Sequence, residues 1–204
     1  MSDIMENTVE PTTDSHLPRK SFHILAASII PVIYYTQWLS WEVSAALVVA
    51  AMVIWVGADL FRLYNPAFNQ FAMKVIGPLL KTKEATQITS SSYILIASSF
   101  AILLLPWQIA CASLFFIALG DPAAAVVGKL FGSIRFGNDK SLEGSVAMFV
   151  VCLWTGIYIT KSVEIALVGA LVAALVELYS FGLDDNLAVP IFSGLAMAAV
   201  LASL

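Results

Sequence analysis

Long apolar stretches separated by short polar ones fill almost the whole chain after residue 20. A helix that crosses a bilayer needs about 20 mostly apolar residues, and somewhat fewer where long side chains at its ends reach the interface. Seven such segments follow one another, at about 21–39, 42–61, 91–105, 107–128, 144–160, 163–180 and 188–204. The pattern predicts an all-α, polytopic integral membrane protein with about seven transmembrane helices.

The segment between the second and third spans has a different pattern. Its apolar residues recur at helical spacing, at Phe68, Phe71, Ala72, Val75, Ile76 and Leu79. Lys74, Lys81 and Lys83 lie off this stripe or beyond it. An amphipathic helix of this kind lies in the interface plane. We therefore expect a surface-lying amphipathic segment after the second span.

The composition agrees with a membrane protein. Apolar residues make up 60% of the chain and charged residues 12%, whereas soluble domains have about 45–50% and about 25%. Four acids and no Lys or Arg lie in the first 14 residues, and they account for the formal net charge of −4. Residues 1–18 are predicted to form a disordered cytoplasmic tail, and 19–204 a single transmembrane domain. The charge balance gives no indication of a nucleic-acid partner.

The basic residues predict the orientation of the protein in the membrane. If the chain crosses seven times, nine of the ten Lys and Arg residues fall on the side of the N-terminus, and only Lys161 falls on the other side. Cytoplasmic loops carry an excess of these residues. We expect a cytoplasmic N-terminus and an external C-terminus.

The stretch from Gly120 to Gly144, GDPAAAVVGKLFGSIRFGNDKSLEG, contains the strongest candidate site. Small residues recur every four positions, at Gly120, Ala124, Gly128 and Gly132. Such a face permits either close helix packing or close approach of a ligand to the backbone. Packing alone gives no reason for the carboxylate of Asp121 inside an apolar helix, because an ionisable group within a membrane is energetically costly.

The loop that follows has the components of a phosphate-binding site: glycines, Lys140, a Ser141 hydroxyl and the start of another helix at Gly144. A carboxylate such as Asp121 suits a phosphate-bound Mg²⁺. Further charged candidates fall at the same ends of the predicted spans, and we expect them to share one depth at the cytoplasmic interface: Arg19, Lys20, His23, Asp59, Arg62, Glu177, Asp184 and Asp185. These residues predict an intramembrane site for a phosphorylated ligand.

The motifs GDPAAAVVGKLFG and NDKSLEGS resemble the signature of the polyprenol kinase family, which includes dolichol kinases, phytol kinases and CTP-dependent diacylglycerol kinases. RKSFH, ADLFRLYNP and ELYSFGLDDNLAVP extend the resemblance from about residue 19 to 204. It implies a CTP-dependent kinase that uses Mg²⁺ and transfers the γ-phosphate to the hydroxyl of a membrane lipid alcohol. Polyprenol, phytol and diacylglycerol remain open as substrates.

The resemblance also implies roles for individual residues. Carried over by position, the nucleotide site contains Asp121, Gly128, Lys140, Glu143 and Gly144, with Arg19 and Lys20 also required. The glycine pattern and the loop composition described above add Gly120, Lys129, Gly132 and Ser141 to the expected nucleotide-binding residues. We expect Asp121 to hold Mg²⁺ with a second carboxylate from Asp59, Glu177, Asp184 or Asp185. Lys140, with Lys129 or Arg135, would balance charge on the transferred phosphate. His23 and Glu143 are the candidate bases for the lipid hydroxyl.

Two other functions remain as alternatives. A phosphatidate cytidylyltransferase shares a distant version of the Lys-Asp-Glu pattern, but its C-terminal signature is replaced here by DDNLAVP. A small transporter would place polar groups near the midplane and often contains inverted repeats. This chain has its charges towards one interface and no visible repeat.

Overall fold

The computed structural model of the protein describes residues 16–80, 82–136, 140–179 and 182–204. Most of the predicted tail lies outside these ranges, as do Lys81 and the side chains of Arg19, Lys20 and His23. The described chain is helical. Its α-helices are α1 (His16–Tyr35), α2 (Trp41–Tyr64), α3 (Pro66–Ile76), α4 (Ser90–Leu104), α5 (Trp107–Phe115), α6 (Asp121–Phe131), α7 (Leu142–Thr160), α8 (Val163–Tyr179) and α9 (Asp185–Ser203). Short 3₁₀ turns follow α3 at Gly77–Leu79 and Thr82–Ala85.

Each predicted apolar segment is a helix whose ends lie within five residues of the predicted ones. Four helices are long and apolar enough to cross a membrane, namely Trp41–Tyr64, Trp107–Phe131, Leu142–Thr160 and Asp185–Ser203. The protein is therefore an all-α integral membrane protein. The count of seven spans stays a prediction, because α4 and α8 are shorter, at 15 and 17 residues, and the apolar part of α1 covers only Ile24–Tyr35.

Polar residues define several helix starts. Ser141 caps α7 by accepting a hydrogen bond from the Gly144 amide at 3.1 Å, and Asp184 caps α9 by accepting one from the Asn186 amide at 3.1 Å. Asn65 does the same for α3 through the Phe68 amide, next to Pro66 in the first turn. These side chains satisfy backbone donors that have no partner within the helix. Local sequence thus fixes where α7 and α9 begin.

Many of the buried residues of the bundle are small, and many large apolar residues lie on its outside. Ala101, Ala110, Ala166 and Ala170 are completely buried, whereas large side chains such as Trp154 point outward with 71% of their surface exposed. α7 packs against α6 and α8, α8 against α9, α4 against α2 and α9, and α1 against α5. Membrane helices associate through small residues because lipid removes the hydrophobic drive to bury large ones.

A π-helical segment, Phe116–Gly120, joins α5 to α6 within one continuous helix. It directly precedes Asp121 and Pro122. Proline has no N–H, and its ring clashes with the carbonyl four residues earlier, that of Ala118. A π-bulge accommodates such a defect, and π-bulges occur frequently at functional sites.

The segment after α2 contains the predicted helix, at Pro66–Ile76, and no residue of α3 is buried. Phe71 and Val75 are each 62% exposed. That this helix lies along the membrane surface stays a prediction.

Candidate active site

A cavity of about 330 Å³ lies between α6, α7 and the end of α8. Its walls are formed by Asp121, Ala124, Ala125, Gly128, Lys129, Arg135, Lys140, Ser141, Gly144 and Glu177. Most of these residues come from the segment that the sequence indicated. The cavity therefore brings together the predicted acid, Asp121, with three predicted cations and one of the four candidate second carboxylates.

Glycine allows α6 and α7 to touch beside this cavity. A Cβ on Gly128 would lie 2.8 Å from Ser141 Oγ, and one on Gly144 would lie 2.8 Å from the Ala124 carbonyl oxygen. Both glycines also line the cavity. Close packing and access of a ligand to the backbone thus occur at the same two positions.

Gly120 and Gly132 have packing roles and do not line the cavity. A Cβ on Gly120 would lie 2.7 Å from Cys152 Sγ, in the contact between the π-helical segment and α7. A Cβ on Gly132 would collide with the Gly128 carbonyl oxygen and approach Ser141. Their assignment to nucleotide binding stays a prediction.

Lys140 connects three helices. Its ammonium lies 3.0 Å from Glu177 Oε1 and 2.7 Å from Asp185 Oδ2, and it also donates to the Glu177 backbone carbonyl. An ammonium has three donors, so this set occupies all of them. Burial lowers the pKa of Lys140, but the charges and hydrogen bonds of Asp185 and Glu177 outweigh it and raise the pKa above its ordinary value. Lys140 remains cationic and ties the start of α7 to α8 and α9.

Glu143 holds the loop that precedes α7. Its Oε1 accepts hydrogen bonds from the Ser133 and Ile134 amides at 2.9 and 3.3 Å. Arg135 and Ser141 form an antiparallel bridge, and the Phe136 amide donates to the Lys140 carbonyl at 2.8 Å. The second oxygen, Oε2, is buried and has no hydrogen-bond partner among the described residues. In this arrangement Glu143 acts on the loop backbone.

Two amides in the first turn of α7 already have partners. The Leu142 amide donates to the Ile134 carbonyl at 3.0 Å, and the Gly144 amide donates to Ser141 Oγ. These two amides are thus satisfied within the protein and are not available to a phosphate in this arrangement. Lys129 and Arg135 are exposed cations that line the cavity, and Arg135 also donates to the Gly128 carbonyl at 3.5 Å.

The cavity extends in depth. Gly128 meets Ser141 and Gly144, whereas Gly120 meets Met148 and Cys152, so α6 runs antiparallel to α7. Asp121 is seven residues from Gly128, which at about 1.5 Å per residue places it about 10 Å further along the helix. The predicted site residues therefore do not share one depth. Lys140, Ser141 and Gly128 lie at one end of the cavity, which we call the mouth, and Asp121 lies at the other, the floor.

The first turns of α1 lie at the same height along the bundle as the floor of the cavity. Tyr35, at the end of α1, contacts Trp107, at the start of α5, with ring centroids 6.2 Å apart, and α1 packs along α5 and the π-helical segment. The two helices are therefore antiparallel. Lys20 lies fifteen residues before Tyr35, and Asp121 lies fourteen residues after Trp107. At about 1.5 Å per residue, each of these separations is about 21–23 Å along its helix. The backbone at Arg19 and Lys20 is thus level with Asp121.

Two carboxylates could hold a divalent cation in the cavity. Asp121 and Glu177 both line it, whereas no group of three or more His, Cys, Asp and Glu comes together anywhere in the described ranges. Mg²⁺ keeps several waters and is usually bound by one or two carboxylates plus substrate phosphates. The donor set therefore fits a cation that is delivered with a polyphosphate.

The other predicted metal ligands lie elsewhere. Asp184 caps α9 and is 4.0 Å from the ammonium of Lys83, and Asp185 pairs with Lys140. Asp59 is buried beside Arg62, with its Oδ1 2.6 Å from the Arg62 Nε. None of these three carboxylates lines the cavity.

Arg62 organises a buried polar cluster that the sequence pattern did not predict. The guanidinium donates to Asp59, to Asn69 Oδ1 and to the carbonyls of Glu84, Ala85 and Gln87. The other oxygen of Asp59 accepts from the Thr89 amide and hydroxyl and from the Ser92 hydroxyl at 2.8, 3.1 and 2.6 Å. The signal in the sequence was the run of hydroxyl residues, Thr89–Ser92, at the start of an apolar helix.

Comparisons with known proteins found three similar curated proteins. The chain is 29% identical to "CTP-dependent diacylglycerol kinase 1" of Saccharomyces cerevisiae, over 93% of this chain and 74% of that protein. It is 28% identical to the protein of the same name from Eremothecium gossypii, over 93% and 68%. It is 24% identical to that from Schizosaccharomyces pombe, over 87% and 89%. No family model matches the chain, and no solved structure matches it significantly. The relatives confirm the resemblance to the polyprenol and diacylglycerol kinase family.

Proposed function

We propose that this protein is a CTP-dependent kinase that transfers the γ-phosphate of CTP to the hydroxyl of a membrane lipid alcohol. The observation that carries the proposal is the cavity itself. It combines two carboxylates with three cations at one end of a membrane helix bundle. Its residues lie in a chain that resembles CTP-dependent diacylglycerol kinases over most of its length.

The cations at the mouth suit a triphosphate. Lys129 and Arg135 are exposed there, and Lys140 lines the same cavity while it is paired with Glu177 and Asp185. Phosphoryl transfer depends on positioning and on neutralising charge more than on covalent chemistry of the protein. Lys129 and Arg135 would bind the incoming phosphates, while Lys140 keeps the walls from α7, α8 and α9 in place. Arg19 and Lys20 are the further basic residues that the resemblance assigns to the nucleotide site.

Asp121 and Glu177 are the residues that would hold Mg²⁺. When bound with the nucleotide, the cation would neutralise charge on the β- and γ-phosphates. The lipid oxygen forms a bond to the γ-phosphorus, the bond from that phosphorus to the bridging oxygen breaks, and CDP leaves. The hydroxyl proton passes to a nearby base. His23 is the better candidate, because Glu143 already accepts from two loop amides.

Diacylglycerol is the first substrate to test, since the relatives' names specify it. Polyprenol and phytol remain the other members of the proposed substrate class. The lipid would approach from the bilayer with its hydroxyl towards the cavity.

The test uses purified protein in vesicles that contain dioleoylglycerol, with Mg²⁺ and γ-labelled CTP. A kinase transfers label to the lipid and releases CDP. A cytidylyltransferase, given phosphatidate, would instead attach CMP and release pyrophosphate, so α-labelled CTP would mark the lipid. The absence of γ-label in every lipid alcohol tested would contradict the proposal.

A further inference from the structure

We infer that Ser145 is a positioning residue for the proposed metal site, because its hydroxyl and Lys140 together hold the Glu177 carboxylate in a fixed orientation at the cavity wall. The inference rests on the proposed function, in which Asp121 and Glu177 would hold Mg²⁺. It adds to that site a residue that does not line the cavity and that acts through Glu177.

The two oxygens of Glu177 are contacted by two donors from the start of α7. Oε1 lies 3.0 Å from the Lys140 ammonium, and Oε2 accepts a hydrogen bond from the Ser145 hydroxyl at 3.3 Å. Ser145 and Glu177 are both buried. Because the donors hold opposite oxygens, the plane of the carboxylate cannot turn without breaking one of these contacts.

The Ser145 hydroxyl has two acceptors within reach. The Ser141 carbonyl also lies 3.3 Å away, but it already accepts the Ser145 amide at 3.1 Å. A hydroxyl has one hydrogen to donate, and hydrogen bonds to an ionised acceptor are roughly twice as strong as those between neutral groups. The Glu177 carboxylate is therefore the preferred acceptor of this hydroxyl.

Lys140 is shared between two carboxylates, so it does not orient Glu177 alone. Its ammonium is closer to Asp185 Oδ2, at 2.7 Å, than to Glu177 Oε1. A glutamate side chain loses much rotamer freedom when it is held in place, and Mg²⁺ demands near-ideal octahedral geometry. A second donor from the first turn of α7 supplies part of that ordering before a cation arrives.

The first test measures cation affinity directly. Purified protein is titrated with Mn²⁺ in the presence of β,γ-methylene CTP, which cannot transfer its terminal phosphate. Water proton relaxation reports the Mn²⁺ that becomes immobilised on the protein. We expect Ser145→Ala to raise the dissociation constant at least tenfold, because loss of a partner that orients a metal ligand typically costs about 10–100-fold in affinity.

Ser193→Ala is the matched control. Ser193 is completely buried in α9, and its hydroxyl donates to the Val189 carbonyl at 2.6 Å. The variant therefore removes a buried hydroxyl from a helix without removing a donor to Glu177, and it should change the dissociation constant by less than about twofold. Equal Mn²⁺ affinities for the Ser145 and Ser193 variants would overturn the inference.

Kinetic constants separate positioning from a general loss of packing. We expect the two alanine variants to have similar melting temperatures. Ser145→Ala should raise KM for Mg²⁺ and leave KM for dioleoylglycerol unchanged. An equal rise in both KM values would show a general disturbance of the site and would overturn the inference.

A double-mutant cycle tests whether Ser145 acts through Glu177. Glu177→Gln keeps the shape of the side chain, removes its charge and should by itself weaken Mn²⁺ binding. In that background Ser145→Ala should add less than about twofold, since the effects of residues in direct contact are not additive. A further tenfold loss, or unchanged affinity in Glu177→Gln alone, would overturn the inference.

The labelling assay separates this inference from the proposed function. If Mn²⁺ binding with the CTP analogue depends on Ser145 but no lipid alcohol receives γ-label, the kinase proposal fails and the positioning role of Ser145 stands. If the unmodified protein and Ser145→Ala both transfer label and bind Mn²⁺ equally well, the inference fails and the kinase proposal stands.

Discussion

Asp121 is a charged residue in an unusual position for one. It follows a π-helical segment, precedes a proline and lies in a helix long and apolar enough to cross a membrane. Ionisable groups in such helices are rare and mark functional positions. At the scale of single residues, its charge is what the proposed chemistry requires.

Asp121→Asn keeps the shape of the side chain and removes the charge that a cation needs. We expect transfer of γ-label from CTP to diacylglycerol to fall by more than tenfold, with helix content by circular dichroism unchanged. Activity above about a tenth of the unmodified protein would show that Asp121 is a packing residue.

Lys140→Met removes the cation between Glu177 and Asp185. Because Lys140 holds the cavity walls from α7, α8 and α9 in place, we expect its loss to misplace the site and turnover to fall by more than a hundredfold, which corresponds to about 3 kcal/mol. Lys140→Arg keeps the charge in a planar group and should retain partial activity. Lys161→Met is the control, because Lys161 lies at the other end of α7, over the ring of Tyr158. Equal, small effects at both lysines would contradict the role of Lys140.

The raised pKa of Lys140 predicts how the stability of the folded protein depends on pH. A cation whose pKa is raised on folding stabilises the folded state fully below its ordinary pKa of 10.5, and the stabilisation is lost as the pH rises through the folded value. The unmodified protein should therefore lose no thermal stability from Lys140 between pH 7 and 10. If the unmodified protein does lose thermal stability between pH 7 and 10, and the Lys140→Arg variant does not, then Lys140 loses its proton at a lower pH than expected.

At the scale of helices, the contact between α6 and α7 depends on glycine. In Gly144→Ala, the new methyl would lie 2.8 Å from a backbone carbonyl oxygen and 3.4 Å from Gly128 Cα. We expect a loss of about 1–3 kcal/mol in the free energy of unfolding, as for other overpacked sites. Gly57→Ala is the control, because no atom lies within 4 Å of its added methyl. Similar melting temperatures for the two variants would contradict close packing of α6 on α7.

The Arg62 cluster joins the end of α2 to the segment before α4. Removing one member of a buried ion pair costs about 3–5 kcal/mol, so Arg62→Met should lower the melting temperature strongly. Arg62→Lys should recover little of it, since one ammonium cannot replace a guanidinium that reaches five acceptors. Lys74→Met, on an exposed face of α3, is the control. Full recovery by lysine would show that charge alone matters.

Sequence analysis predicted the helices better than their contacts. The apolar runs identified the helix that contains Asp121 and the start of α7, because bilayer thickness imposes a length that shows in the sequence. The π-helical segment was not predicted, since its residues are as apolar as those of an α-helix. The partners of Lys140 and Asp59 come from α8, α9 and the start of α4, and a single sequence does not specify which helices are neighbours.

At the scale of the whole molecule, the basic residues predict a cytoplasmic N-terminus and an external C-terminus. An odd number of spans is required for this arrangement. Reporter fusions at the two ends should be active on opposite sides of the membrane. Both reporters active on one side would contradict seven spans.

The π-helical segment Phe116–Gly120 also bears on how the cavity arose. A π-helix is what an α-helix becomes when it accommodates one extra residue, and each residue turns an α-helix by about 100°. An ancestral helix one residue shorter would have presented a different face to α7 from Asp121 onward. One inserted codon could thus have rotated the carboxylate, Ala125 and Lys129 together, while α5 kept its packing against α1.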